Sequence, residues 1–176
     1  TPHRNHYWNE KQCNVKWEAG KLLWCKLQSP PPHFLRMASS GVRSAAHAGR
    51  WYTDSARELS DTLKGYLSAN SGISSAYEGK NVCAIIGPHA GYSYCGEVLG
   101  AAYASLIKST TNYDVIFMLG PSHHVALDGC GVSVSTELET PLGSLKVAQS
   151  ICVDLLKKPI FSRFSLEDDE EEHCLE

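Results

Sequence analysis

Two apolar runs in this sequence end in nearly the same phrase. Val82-Cys83-Ala84-Ile85-Ile86 stops at Gly87-Pro88-His89, and Val115-Ile116-Phe117-Met118-Leu119 stops at Gly120-Pro121-Ser122-His123-His124. Neutral imidazole is the commonest metal ligand near neutral pH, and the proline before each histidine fixes a backbone dihedral that helps hold the ring. If the two runs are neighbouring parallel strands, their C-terminal ends share one edge, where ligand crevices form. His89 and His123 would then stand close enough to share a metal ion or an anionic ligand. A surface histidine, or one satisfied as an ordinary polar group, is the alternative at each position. Two imidazoles do not complete a catalytic metal site, which usually needs three protein ligands. Asp114 opens the second run and belongs at the opposite edge, so it is not the third. Tyr94 and Cys95 follow His89 closely enough to line a pocket, and Cys95 would serve equally well as a buried helix residue.

The elements that must carry these loops follow from periodicity. Ser55-Ala56-Arg57-Glu58 has the form of a capping box, and Leu59, Leu63, Tyr66 and Leu67 then share one helical face. The stretch from Ser68 to Gly79, rich in Ser, Gly and Asn, reads as a loop. A helix is expected over Cys95 to Lys108, with Val98, Leu99, Ala102, Tyr103 and Leu106 on one side. The apolar runs flanking it are short and continuous, as buried parallel strands are. Strand, helix and strand in this order predict an α/β fold, a central, largely parallel sheet with helices on both faces. Further along, Val132-Ser133-Val134-Ser135 alternates as a strand does, and Leu145 to Lys158 reads as a helix ended by Pro159. The acidic run Glu167 to Glu172 reads as a solvated face or a disordered tail.

Composition limits the remaining classes. The chain has 176 residues, and its formal net charge of −3 argues against a general nucleic-acid binder. No stretch approaches the roughly 18 consecutive apolar residues of a membrane helix. Residues 1–36 differ from the rest: six Lys/Arg against two acids give +4, whereas the remainder carries −7. Three of the four Trp and four of the eight Pro also precede Met37. We therefore expect residues 1–36 to be an extension outside the domain, such as translated upstream sequence, and residues 37–176 to be the folded part; a Trp-rich basic recognition arm is the alternative. Seven cysteines with no CxxC pair suit reduced thiols in a cytoplasmic protein. No secretory signal is visible. The tripeptide His47-Ala48-Gly49 recurs as His89-Ala90-Gly91, but three residues are too few to support an internal repeat.

Four blocks together carry a family resemblance. Ala46-His47-Ala48-Gly49-Arg50-Trp51-Tyr52, Pro88 to Gly96 (Pro-His-Ala-Gly-Tyr-Ser-Tyr-Cys-Gly), Leu119 to His124 and Glu171-Glu172-His173-Cys174-Leu175-Glu176 resemble, in order and interval, successive signatures of the Memo family of cell-motility mediators. One departure is Cys174, where the family usually has Ser. The resemblance runs from about Ser44 to Glu176 and implies a truncated domain, the N-terminal half of a fold similar to that of the class III non-haem iron dioxygenases. It implies that His89 and His123 are metal ligands, with iron or copper as the ion and a Cys from the later half of the family domain, absent from this chain, as the third ligand. It also implies a pocket that receives a phosphotyrosine-containing receptor peptide, with Trp51, Tyr94, Cys95 and His124 expected around the two ligands. The function implied is a signalling adaptor linking receptors to the cytoskeleton and cell motility. The alternative is a metal-dependent oxidoreductase like the fold relatives.

Overall fold

The computed structural model describes residues 41–176, together with the backbone of residues 17–18 and 21–22. Those four residues form β1 (Trp17–Glu18) and β2 (Lys21–Leu22), an antiparallel pair in which Trp17 lies opposite Leu22. The expectation that residues 1–36 form an extension otherwise lies outside the described residues.

The rest is mixed α/β. In chain order it comprises β3 (Val42–Arg43), α1 (Ala56–Ala69), α2 (Ser71–Ala76), α3 (Tyr92–Ile107), β4 (Cys130–Ser133), β5 (Glu137–Leu138), β6 (Leu145–Lys146), α4 (Gln149–Leu155), β7 (Phe161–Phe164) and α5 (Leu166–Glu171). β5 lies between β3, to which it is parallel, and β6, to which it is antiparallel. β4 pairs in parallel with β7, from Cys130 opposite Phe161 to Ser133 opposite Phe164.

Helix α1 begins as its capping box predicts, the Ser55 hydroxyl accepting from the Glu58 N–H. The Glu58 carboxylate, however, takes the Thr53 hydroxyl at 3.0 Å. The α1 face expected to be apolar packs against α3, burying Leu59 and laying Tyr66 over Gly96 and Gly100. A Cβ on Gly96 would stand 2.3 Å from the Tyr66 ring, so only glycine lets the helices approach this closely. The Tyr66 hydroxyl donates to the Tyr92 carbonyl at 3.1 Å and fixes the start of α3. This contact uses the small residues of α3, with Cys95, Gly96, Gly100 and Ala104 buried. Val98 and Tyr103, expected on one side with Leu99, Ala102 and Leu106, are exposed, and the face buried against α1 is the one made of small residues.

Four sequence expectations are corrected. Ser68–Gly79 is not all loop: the Asn70 side chain donates to the Tyr66 carbonyl at 2.8 Å, ending α1, and α2 starts at once. The helix expected from Leu145 begins only at Gln149, because Leu145 and Lys146 are taken into the ladder with β5. The acidic run is neither a disordered tail nor a solvated face, since Ser165 caps it as α5 and its Asp169 is buried beside Arg43 at 3.4 Å and Ser133. Finally, Val82–Ile86 and Val115–Leu119 carry no strand ladder.

Those two runs nevertheless travel side by side in the same direction. At their start, the Thr110 N–H donates to the Lys80 carbonyl at 3.1 Å and the Val82 N–H to the Thr111 hydroxyl at 2.7 Å. The Tyr113 hydroxyl also reaches the Val82 carbonyl. At their far end, His89 meets His123. Between these ties Ile86 is 97% exposed and Leu119 85% exposed. A central parallel strand needs a bonded neighbour on each edge and a covering layer on each face, and with Ile86 and Leu119 this exposed and no ladder formed the two runs do not meet both conditions among the described residues.

Candidate metal-binding site

Four loops converge at the far end of the two runs. His89 comes from the loop after the first, His123 from the loop after the second, His173 from the segment following α5, and Trp51 from the turn between β3 and α1. The turn at 47–52 is held by the Gly49 N–H donating to the Tyr52 carbonyl at 2.7 Å, and is tied to α3 by the Tyr92 N–H donating to the Trp51 carbonyl at 2.9 Å. The Ser122 hydroxyl closes the second His loop on the Val125 carbonyl at 2.7 Å. The Cys174 thiol donates to the Pro121 carbonyl at 2.9 Å, and its Sγ would lie 2.4 Å from a Cβ on Gly120. Glycine at 120 thus lets the segment after α5 lie directly on the His123 loop.

The imidazoles form one cluster. The Nε2 atoms of His89 and His123 are 3.3 Å apart. The His173 ring stacks on that of His123, with centroids 4.3 Å apart, and on the Trp51 indole at 4.2 Å. One possible ligand atom from each of His89, His123 and His173 lies within 4.8 Å of the other two. Beneath them sits the buried Glu172 carboxylate. It accepts from the His123 backbone N–H at 2.6 Å, from His123 Nδ1 at 2.7 Å and from the Cys174 N–H at 3.2 Å. Burial would raise its pKa, but these donors outweigh burial and hold it at about 2. An ionised carboxylate can only accept, so His123 Nδ1 carries a proton, and Nε2 is the ring atom turned toward His89. A carboxylate on the far nitrogen is the usual way a metal-ligating imidazole is oriented.

Burial, with the neighbouring His123 adding to it, pushes the His173 pKa below its ordinary value and favours the neutral ring. The Cys174 thiol is pushed up to about 12, by burial first and then by the Glu172 charge, so it stays protonated. A second carboxylate anchors the edge of the cluster: Glu176 accepts from the His47 N–H at 2.9 Å and from the Tyr52 hydroxyl at 2.6 Å. Burial and that bond raise the Tyr52 pKa and keep it a donor.

The donor set fits a metal ion. Two nitrogens bound to one tetrahedral ion at about 2.0–2.1 Å are separated by about 3.3–3.4 Å, which matches the His89–His123 spacing. Imidazole suits zinc, copper and iron alike.

Of the residues expected around this pair, Trp51 is 36% exposed and borders the cluster. His124 stands edge-on to His173, with centroids 6.5 Å apart. Tyr94, in the first turn of α3, is 87% exposed. Cys95 is buried, its thiol donating to the Ala90 carbonyl at 2.9 Å. Glu172 and His173 belong to the cluster, and His47 and Glu176 support it, although the apolar runs and their His loops give no sign of them. A signal was present: Ser165 three residues before Asp168 has the spacing of an N-cap, and a helix there puts Glu172 and His173 at its end.

An α/β chain with a histidine cleft at the ends of two parallel-running segments, braced by a carboxylate from a later helix, is thus defined. It belongs to the Memo-like protein family, whose pattern matches residues 43–176. Protein MEMO1 of Danio rerio is 43% identical over 134 residues, covering 76% of this chain and 43% of that protein. Protein MEMO1 of Homo sapiens is similar to the same extent. The MEMO1 family protein MHO1 of Saccharomyces cerevisiae is 43% identical over 145 residues, 77% of this chain and 41% of its own length. The chain therefore spans less than half the length of these relatives.

Proposed function

We propose that this chain carries the metal-binding half of a Memo-like signalling adaptor, in which the histidine cleft holds iron or copper and its rim receives a phosphotyrosine-containing receptor peptide. The observation that carries the reading is the pair of Nε2 atoms 3.3 Å apart, one of them oriented by Glu172. A phosphate of charge about −1.5 to −2 near neutral pH suits a cleft rich in imidazole donors, and a bound cation would add positive charge there. The exposed indole edge of Trp51 offers an aromatic surface beside it for the phenyl ring of the peptide. In this reading the two apolar runs become neighbouring strands of a dioxygenase-like sheet when the rest of the family domain covers them, and the third ligand expected from the family is a Cys of that later part. The protein acts in the cytoplasm, where receptor tails and the cytoskeleton are found; no described helix is long and apolar enough to cross a membrane.

The test is made on metal-loaded protein. Affinity for a phosphotyrosine peptide is compared with that for its unphosphorylated form, and oxygen consumption is followed with catechols and reductants. A preference for the phosphorylated peptide that His123→Ala removes is the expected result. Turnover of oxygen abolished by His123→Ala, with no peptide preference, would replace the adaptor by an oxidoreductase.

A further inference from the structure

The acidic segment that braces the histidine cleft is itself gripped by one buried cation. Arg43, the last residue of β3, is 4% exposed, and Asp169 of α5 is 6% exposed. Arg43 Nη1 meets Asp169 Oδ1 at 3.4 Å, and Nη2 donates to the Leu175 carbonyl at 3.1 Å. The planar, fork-like guanidinium therefore fixes residues 169 and 175 together, with Glu172 midway between them. Net stability is a poor explanation for this pair. Desolvation offsets most of the attraction between buried charges, and an apolar pair of similar volume is often as stable or more so. Arg43 Nε is also buried with no hydrogen-bond partner among the described residues, which adds a cost. What such a pair can supply is one specified arrangement. Here the arrangement is that of residues 172–174 on the His123 loop, where the Glu172 carboxylate accepts from the His123 N–H and Nδ1 and from the Cys174 N–H.

We propose that Arg43 is a positioning residue for the histidine cleft: its bridge from Asp169 to Leu175 holds Glu172 on His123 and so keeps a proton on Nδ1 of that ring. The proposal rests on the functional reading in one respect, that the cleft works through Nε2 of His123; the position of the proton itself needs no ligand. The ring nitrogen that carries the proton is set by the hydrogen bond the ring makes. Without the bridge, Glu172 is free to turn toward solvent. A neutral imidazole that has lost its acceptor at Nδ1 favours the proton on Nε2, which closes that atom to any ligand. Other ties reach the same segment, since Ser44 donates to Glu170 through its N–H at 2.9 Å and its hydroxyl at 2.7 Å. They hold α5 from one side only. Arg43 alone spans from the Asp169 carboxylate to the backbone beyond Glu172.

The test uses the 176-residue chain with nitrogen-15 in its histidines, whose ring resonances tell which nitrogen carries the proton, at about pH 9, above the ordinary imidazole range. Removing one partner alone leaves a buried charge unpaired and endangers folding. Both are therefore replaced: Arg43→Met/Asp169→Asn removes the bridge and keeps an acceptor for the Ser133 and Ser135 hydroxyls that Asp169 now holds. Glu172→Leu gives the signature of a His123 ring with no carboxylate beneath it. The wild type should show His123 protonated at Nδ1. The double variant should move it to the Glu172→Leu signature, and the His123 and Cys174 amides, which both donate to Glu172, should exchange about tenfold faster or more. Ser44→Ala, which loosens α5 but leaves the bridge, should keep the wild-type signature. Ring and amides unchanged in a folded double variant would overturn the proposal. So would a wild type with the proton on Nε2, or the same shift in Ser44→Ala, which would mark a general loosening of the segment. None of these signals needs an ion or a peptide, so they stand or fall apart from metal and peptide binding by the whole protein.

Discussion

Side chains that a sequence reader assigns to solvent do much of the holding in this chain. Glu170 belongs to an acidic run, yet its carboxylate accepts from both the N–H of Ser44, at 2.9 Å, and the hydroxyl, at 2.7 Å. The Ser44 bonds lower its pKa below the ordinary value. A carboxyl whose folded pKa is depressed contributes stability that is full above its unfolded pKa and disappears as pH falls through the folded one. Glu170→Gln should therefore cost about 1 kcal/mol near pH 7 and progressively less as pH falls from the ordinary carboxyl range through the lowered folded pKa, and thermal melts of both proteins over that acid range check the sign. A cost independent of pH would show that the ionised form is not what matters. Trp51 is the second case. Its stack on His173 is worth about 0.5–1.5 kcal/mol beyond area burial, so Trp51→Ala should lower the melting temperature by about 2–4 °C per kcal/mol lost. At this scale His89 and His123 were legible because each ends an apolar run after Gly-Pro or Gly-Pro-Ser. His173 and Glu172 were not, because charge composition carries no information about which acidic residues of a run face inward.

Elements were legible where one physical signal dominated. The capping Ser55 and the spacing of Leu59, Leu63 and Tyr66 announce α1, and the structure has it over Ala56–Ala69. Signals failed where a partner distant in sequence decided the outcome. Leu145 and Lys146 continue a helical pattern, but β5 claims them as ladder partners. For α3 the period was right and the buried face incomplete, because glycine and alanine at 96, 100 and 104 contribute nothing to an apolar pattern yet permit the closest approach to α1. Opposite outcomes are expected for two glycines in this helix pair. A Cβ on Gly100 would lie 2.6 Å from Tyr66 Cβ and 2.8 Å from its carbonyl oxygen, so Gly100→Ala should destabilise the chain by about 1–3 kcal/mol. Nothing lies within 4 Å of a Cβ on Gly65, and Gly65→Ala in α1 should stabilise by about 0.5–1 kcal/mol. Denaturant titrations of the two variants would contradict the packing if both moved in the same direction.

For the molecule as a whole, the open question is what covers the apolar runs. Ile86, Ile116, Phe117 and Leu119 are all more than half exposed, and apolar surface grouped in this way promotes association. Sedimentation velocity of the 176-residue chain should show association that grows with concentration and weakens in Ile86→Lys/Leu119→Lys; a monomer at every concentration would contradict this. The α/β class was legible from strand, helix and strand, whereas the sheet itself was not, because pairing depends on neighbours the runs do not have among the described residues. Family membership was legible because four blocks kept their order and spacing, and the match over residues 43–176 agrees with them. The central claim is that this fold brings His89 and His123 together to hold a metal ion, and the metal content of the protein carrying the later half of the family domain, after loading with iron or copper and exhaustive dialysis, tests it most directly. About one ion per chain in the wild type, lost in His89→Ala, is the result the structure predicts; the same content in both proteins, or none in the wild type, would contradict it.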